Sequence, residues 1–556
     1  MRRILFRLHT IGIVFVILML VTVATVNAAT ITVDDSSGAD YTTIQDAVNA
    51  SNSGDTIIVY PGTYYENVDV DKQLTIMSTG GAAFTNVTAA VATDYVFKVT
   101  ADHVTISGFT VSGATDPHKA GIHLGSSSNS TVTGNTVSNN TNGIFLVSSN
   151  NTVNTNTVSN NNIGIYLLGS SNYYNTISNN TVANNDEWGI YLVDSIYNTV
   201  HGNIVLNNKK DGIHLFSSWN NDISGNTASS NKKNGILLTY SNHNNVTTNT
   251  VSNNNIGIQL FSSKNNDVGG NKVSTNKFDG IYLFDSYYNT VRGNKASSND
   301  DGIILDDSNH NTVNTNTVSN NNIGIYLRDS SNYNTISNNT ASNNDGGIFL
   351  DDSNHNTVIN NTASNNNMGI YLRDSSNYNT ISNNTASKNS VWGIYLYSSS
   401  NNIFDDNTVS KNGEFGIFLE DSSTNLIYNN VFNNTRNTYF SGANIDNRWN
   451  TTQQAGVNIN GGSSLGGNLW LTPNGKGFSE TSDTDANMDG ICDGAYKIAS
   501  DNIDYLPLAI SRGGGSSASA DNREAIGEIP GFTFFASIIG IGLAFLIHKD
   551  KKQDWE

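Results

Sequence analysis

Residues 485–493 read Asp485-Ala-Asn487-Met-Asp489-Gly490-Ile491-Cys-Asp493. In the pattern D-x-N-x-D-G-x-x-D, oxygens at alternate positions converge on a calcium ion while the glycine permits a sharp turn. Asp485, Asn487 and Asp489 would give side-chain oxygens, Ile491 its carbonyl, and Asp493 a direct or water-bridged contact. Tyr496 stands where a bidentate glutamate is usual, so Asp483 or Asp501 must complete the shell. The plainer alternative is an acidic surface turn. The reading taken is structural Ca2+.

Two further features are periodic. Asp285, Asp307, Asp329, Asp352 and Asp374 recur at near-equal spacing, and the residue before the last four alternates Asp306, Arg328, Asp351, Arg373. Carboxylates stacked ~4.8 Å apart repel by about 1 kcal/mol per pair in water. Either the arginines offset that, or each aspartate closes an Asx turn; the sharper reading is a cation or sugar site. The aromatic series Phe145, Tyr166, Tyr191, Tyr282, Tyr326, Phe349, Tyr371, Tyr395 and Phe418 has similar spacing. An exposed aromatic stripe stacks sugar rings or meets a protein surface, against the alternative of plain strand propensity. The candidate carbohydrate-binding set is Tyr282, Tyr326, Phe349, Tyr371, Tyr395, Asp307, Asp329, Asp352 and Asp374.

All these positions hang on one tetrapeptide. Gly-Ile-x-Leu returns fourteen times from Gly121 to Leu419, in steps of 21 to 25 residues. A fixed period in this range marks a solenoid. Leucine-rich repeats would need several spaced leucines and a helical segment in each unit. Here the units hold short β-branched runs broken by Asn and Ser, which favour turns and resist helix interiors. The period therefore predicts a parallel β-helix with two or three short strands per coil. Alternation along a strand points Ile and Leu inward and the residue between them outward. Fourteen coils make a rod of roughly 65–70 Å.

The repeat needs ends. Ile31-Thr-Val33 reads as a strand, and Thr42-Thr-Ile-Gln45 opens an amphipathic helix, 42–50, with Ile44, Ala47 and Val48 on one face. That helix is read as the cap over the first coil, whose core and strand edges would otherwise face water. Tyr41–Val48, Gly54–Glu66 (GDTIIVYPGTYYE) and the repeated Gly-Ile-x-Leu resemble the pectin-lyase-like superfamily, most closely its NosD-type, or CASH-domain, branch in cell-surface proteins of methanogenic archaea. The resemblance covers about residues 30–510. It implies an all-β, right-handed parallel β-helix, a hand that also follows the crossover rule. For function it implies little, because the family mixes enzymes, binders and proteins of unknown role. The Gly-His-Gly of polygalacturonases and the Asp-Phe-Ile-Phe-Gly of pectin methylesterases are missing, and Asp116-Pro-His118 lacks the residues that flank it in alginate epimerases. The NosD name suggests copper, yet His123, His214, His310 and His355 fall in separate coils with no Met or Cys beside them.

The organisation follows: 1–28 signal peptide, 30–112 N-terminal cap and first coils, 113–438 repeats, 439–510 closing segment, 511–529 Gly/Ser linker, 530–552 C-terminal signal or membrane segment. Pro530-Gly-Phe532, an apolar run to Ile547 and His548–Lys552 resemble the PGF-type sorting signal of archaea. One cysteine, Cys492, permits no internal disulfide, and a net charge of −19 argues against nucleic acid and anionic membrane as partners. Within 302–390 two coils are duplicated: Asp307–Val313 recurs as Asp352–Val358, and Asp329–Ile336 as Asp374–Ile381. The sequence thus describes a secreted, surface-anchored rod that binds carbohydrate or builds the cell envelope. Its partners would be extracellular glycans or envelope proteins, with membrane contact only through the tail. The alternative is a polysaccharide-modifying enzyme (lyase, hydrolase or epimerase).

Overall fold

The computed structural model describes residues 28–481 and 485–510. Residues 1–27 of the expected signal peptide, Asp483, the linker 511–529 and the tail 530–552 lie outside the described residues. Among the described residues no helix is long and apolar enough to cross a membrane.

The chain is a parallel β-helix. One coil shows the plan: a short strand Thr312–Asn314, a second short strand Thr317–Ser319 and a longer one, Ile323–Arg328. Each pairs in parallel with its equivalent one coil on, Val313 with Ile336, Val318 with Ala341 and Leu327 with Leu350. The result is three parallel sheets along the rod, two of short strands and one of long strands. Inward residues stack into one core: Val313, Val318, Ile325 and Leu327 are all fully buried. The period-two reading of Gly-Ile-x-Leu thus places its Ile and Leu correctly.

Why the period is anchored on glycine follows from close approach. A Cβ on Gly324 would sit 2.6 Å from the carbonyl oxygen of Gly347 and 3.1 Å from Asn344 Nδ2. Only hydrogen leaves room there.

The corners reveal what the asparagines do. At most corners a residue in the left-handed region is followed by a buried asparagine. In one coil these pairs are His310–Asn311, Thr315–Asn316 and Asn320–Asn321. The buried amides form three ladders. Asn316 donates from its backbone N and its Nδ2 to Asn339 Oδ1 at 2.9 and 3.0 Å, while Asn316 Nδ2 also reaches Val291 O at 2.9 Å. The corner backbone would otherwise be orphaned inside the rod. A serine column (Ser286, Ser308, Ser331) repeats the device where the long strand ends.

The ends are closed. Helix α1, Ile44–Ala50, buries Ile44, Ala47 and Val48, and Thr43 caps it by accepting from Asp46 N at 3.2 Å. Glu66 accepts from Ile44 N and Gln45 N, both at 2.8 Å, and Lys72 Nζ donates to the Val48, Asn49 and Ser51 carbonyls. Opposite charges thus meet the two ends of the helix dipole. At the far end Trp449 and Trp470 are buried, with Trp470 stacked on Phe432. Asp504, fully buried, accepts from Asn468 N and Trp470 Nε1, both at 2.8 Å. Its burial pushes the carboxyl up to about 7.

Candidate functional site

The outward residue of each long strand lies one coil, about 4.8 Å, from its equivalents. Where consecutive coils carry rings, the rings meet, some face to face and some, as Tyr326–Phe349 and Phe349–Tyr371, edge to face at 89 and 90°. Tyr371, Tyr395 and Phe418 follow one another at 4.5 and 4.6 Å, and Tyr95, His123, Phe145, Tyr166, Tyr191 and His214 form a second run. The stripe expected to be exposed is largely covered by its own members: Tyr326 and Phe349 are 8% exposed and Tyr395 7%, while Tyr282 and Tyr371 are half-buried. Alternation gave the outward direction correctly; the covering comes from neighbouring coils.

The tyrosine hydroxyls are engaged as well. Tyr282 Oη donates to Asp306 and Tyr326 Oη to Asp351, both at 2.8 Å; Tyr395 Oη donates to Glu420 at 2.5 Å. Arg328 binds Asp306 at 2.7 Å and Arg373 binds Asp351 at 2.5 Å. The alternation Asp306, Arg328, Asp351, Arg373 is thus a pair of ion pairs between adjacent coils, each with a tyrosine built in. Burial and the Asp306 and Asp351 charges hold the Tyr282 and Tyr326 hydroxyls above the usual range.

Asp307, Asp329, Asp352 and Asp374 sit one residue beyond, each in the left-handed region and exposed, as is the backbone of half-buried Asp285. Arg328 Nε lies 3.7 Å from Asp329 and Arg373 Nε 3.6 Å from Asp374. Partial burial, then neighbouring carboxylates, raise Asp307, Asp329 and Asp374. Sequence reasoning missed the next column on the same turns. Tyr288, His310, Tyr333, His355 and Tyr378 stack at 5.1, 5.2, 4.9 and 5.2 Å, with interplanar angles of 2 to 11°. Its signal was present in the duplicated Asn-His-Asn-Thr and Asn-Tyr-Asn-Thr pieces.

Sequence reasoning also missed an acidic pair. Asp279 and Asp301 precede repeat glycines in adjacent coils. Burial, then the Asp301 charge, pushes Asp279 to about 7; burial pushes Asp301 to about 6, although its Oδ1 accepts from Ile323 N at 2.9 Å.

At 485–493 the loop turns through Met488 and Gly490, both at positive φ. Asp485 accepts from Asp489 N and Gly490 N at 3.0 and 2.9 Å, Asn487 Oδ1 from Asp489 N at 3.2 Å, and Asp493 from Ala486 N at 3.1 Å. Ile491 is buried against Leu469 and Leu508. These oxygens are turned onto the loop's own amides. Among the described residues no three His, Cys, Asp or Glu side chains gather as a metal would need.

A family model described as "Periplasmic copper-binding protein (NosD)" matches residues 48–234, 208–344 and 328–475. A cell surface glycoprotein of Methanothermus fervidus is 36% identical over 101 residues, which are 18% of this chain and 16% of that protein. Among solved structures, the catalytic unit of a GH87 alpha-1,3-glucanase from Streptomyces thermodiastaticus aligns at 16% identity over 55% of this chain and 61% of its own, with a TM-score of 0.36. The periplasmic alginate epimerase AlgG aligns at 12% identity over 70% and 78%, with a TM-score of 0.30. Likeness of that degree carries no argument about chemistry.

The family description implies copper, and the residues here do not fit it. His123 and His214 are each 8% exposed, with His123 Nδ1 3.3 Å from Phe145 O and His214 Nε2 3.2 Å from Thr239 Oγ1. Tyr333 separates His310 from His355, and Cys492 is buried against Leu508 O. No copper chemistry is derived from this chain. With matches that together run from residue 48 to 475, over a continuous parallel β-helix, the chain belongs to the NosD family.

Proposed function

We propose that this protein is an exported β-helical rod displayed at the cell surface, where it binds extracellular carbohydrate and serves as a structural element of the envelope. The observation that carries this is the face of the long sheet. Its aromatic, Tyr–Asp/Glu and Arg–Asp contacts join adjacent coils, so it is stiff and repetitive, and the exposed Asp and Tyr/His columns beside it repeat with the coil. A repeating polar edge suits a repeating polymer. The surface glycoprotein relative and the leader and tail read in the sequence support display outside the cell.

The test is retention of the full chain on a panel of acidic, neutral and amino polysaccharides with calcium, following new reducing ends and unsaturated sugars in the same tubes. Retention without products supports the reading. New products favour the alternative, a polysaccharide-modifying enzyme, for which Asp279 and Asp301 are the specific support. Two carboxyls raised to about 7 and about 6 have the poise of a general acid and base. Asp279→Asn should then abolish product formation.

Structural calcium at Asp485, Asn487, Asp489, Ile491 and Asp493 belongs to the same proposal. The loop already makes its tight turn at Gly490, and ion binding would need only the carboxylates to leave their amide partners. Chelator should lower the melting temperature of the purified protein; an unchanged curve rejects the ion.

A further inference from the structure

In the turn after a long strand the residue directly before the buried asparagine is left-handed. Asn129 precedes a buried serine there instead, and Asn150, Asn220, Asn265 and Asn401 also fill the left-handed position, at φ from 56 to 59°. Tyr174, Tyr197 and His243 also place rings there, singly or as one pair, but the asparagine coils show that the fold asks for nothing larger than Asn, which this conformation tolerates better than a bulky ring. Yet Tyr288, His310, Tyr333, His355 and Tyr378 occupy it in five consecutive coils, at φ from 57 to 59°. Tyr288, Tyr333 and Tyr378 are 54 to 58% exposed. Rings placed in a disfavoured backbone conformation, where the fold needs none, point to recognition.

The geometry says what kind. Because the rings lie nearly parallel, 4.9 to 5.2 Å apart, each covers its neighbours' faces and turns its polar edge to solvent. The column is thus a row of hydroxyls and imidazole nitrogens, and none of these atoms has a hydrogen-bond partner among the described residues. On the same turns, three or four residues earlier, stand the exposed aspartates Asp307 and Asp352, equally unpaired, and Asp329 and Asp374. Dense donors and acceptors in register fit a polyol better than an apolar surface.

The two-coil duplication makes Tyr and His alternate, so the pattern repeats every ~9.6 Å, twice the strand spacing. An extended peptide cannot follow this, since its side chains return to one face every ~6.6–6.8 Å. An extended disaccharide spans about two coils. The acidic column repels uronate and sulfate groups. We propose that the edge Tyr288–His310–Tyr333–His355–Tyr378 holds one extended glycan strand of disaccharide repeat, bearing neutral or amino sugars, laid along the rod. This rests on the carbohydrate-binding reading above and names its site and ligand class.

The experiment uses the full chain and the triple variant Tyr288→Asn, Tyr333→Asn, Tyr378→Asn, which installs the residue other coils already carry. Retention is measured on cellulose, chitosan and polygalacturonate, with circular dichroism to confirm the fold. Wild type should be held by cellulose or chitosan and not by polygalacturonate, and the variant at least tenfold less. Wild type and variant held equally would overturn this site while leaving the general reading intact. Wild type held by none would overturn both, and preference for polygalacturonate would overturn the ligand class. Loss of a dimer in the variant, without any glycan retention in wild type, would assign the edge to a second copy instead.

Discussion

Asn339 is the sharpest place to test whether the buried amides hold the rod. It is 1% exposed; its Oδ1 accepts from Asn316 N at 2.9 Å and Asn316 Nδ2 at 3.0 Å, and its own Nδ2 donates to Val313 O at 2.9 Å and Asn361 Oδ1 at 3.0 Å. Asn339→Ala strands the Asn316 N–H and takes a donor from Val313. At about 1–3 kcal/mol for each buried group left wanting, the loss is about 2–4 kcal/mol. Asn339→Asp refines the test. It keeps the acceptor for Asn316 but sets a second oxygen against Val313 O and Asn361 Oδ1, so folding favours its protonated form. Its folded pKa is then raised, and the contribution it makes is present at low pH and lost as pH rises. Denaturant midpoints, with hydrogen exchange of amides 316–361, should show both variants weaker than wild type at pH 8, and only Asn339→Asp closing its gap to wild type toward pH 5. If Asn339→Ala costs no more than the exposed neighbour change Thr340→Ala, the ladder is ornament and the reasoning fails.

Gly324→Ala should cost about 1–3 kcal/mol by overpacking, since its Cβ would meet the Gly347 carbonyl at 2.6 Å; an unchanged midpoint would mean the coils can spread. Asp279, Asp301 and Asp504 have folded pKa values raised to about 7, 6 and 7, so their contribution is full below pH ~4 and is lost as pH rises through 6–7. The melting temperature should therefore climb from pH 8 to pH 5, and Asp504→Asn should flatten part of that slope; a melting temperature that falls over this range refutes the assignment. Arg328→Met leaves Asp306, 6% exposed, without its cation; with Arg328 itself 35% exposed and Tyr282 still donating to the carboxylate, it should cost about 1–3 kcal/mol, most of it recovered in Arg328→Met with Asp306→Asn. Additive losses in that double variant would deny the pair.

The repeat glycines carried the fold in plain view, because close approach leaves one residue type at one place in every coil. The inward Ile and Leu, and the cap residues Ile44, Ala47 and Val48, were equally legible from period two and period 3.6. Exposure was not. Period two says that Tyr326 points away from the core; it cannot say that Phe349, one coil on, will cover it. The asparagines misled in the opposite sense. Asn is read as surface turn, and only the fixed offset from each glycine shows that Asn316, Asn339 and Asn361 are one buried column. The Tyr/His edge was visible as a duplication, but its meaning needed the left-handed backbone.

In each ladder the backbone donors run one way, while the side-chain amides also reach back to a carbonyl of the coil before. Asn316, Asn339 and Asn361 each offer the backbone N–H to the side-chain oxygen of the asparagine in the coil that follows in sequence. A chain that emerges N-terminus first therefore ends in a coil whose backbone donors wait, and the next coil to emerge supplies the acceptors. Assembly is templated from the capped end, without long-range search. The duplicated blocks are 45 residues apart and in register, so recombination between them adds or removes whole coils while every ladder closes again. Rod length becomes an inherited variable, and the lineage can lengthen its reach without redesigning a single contact.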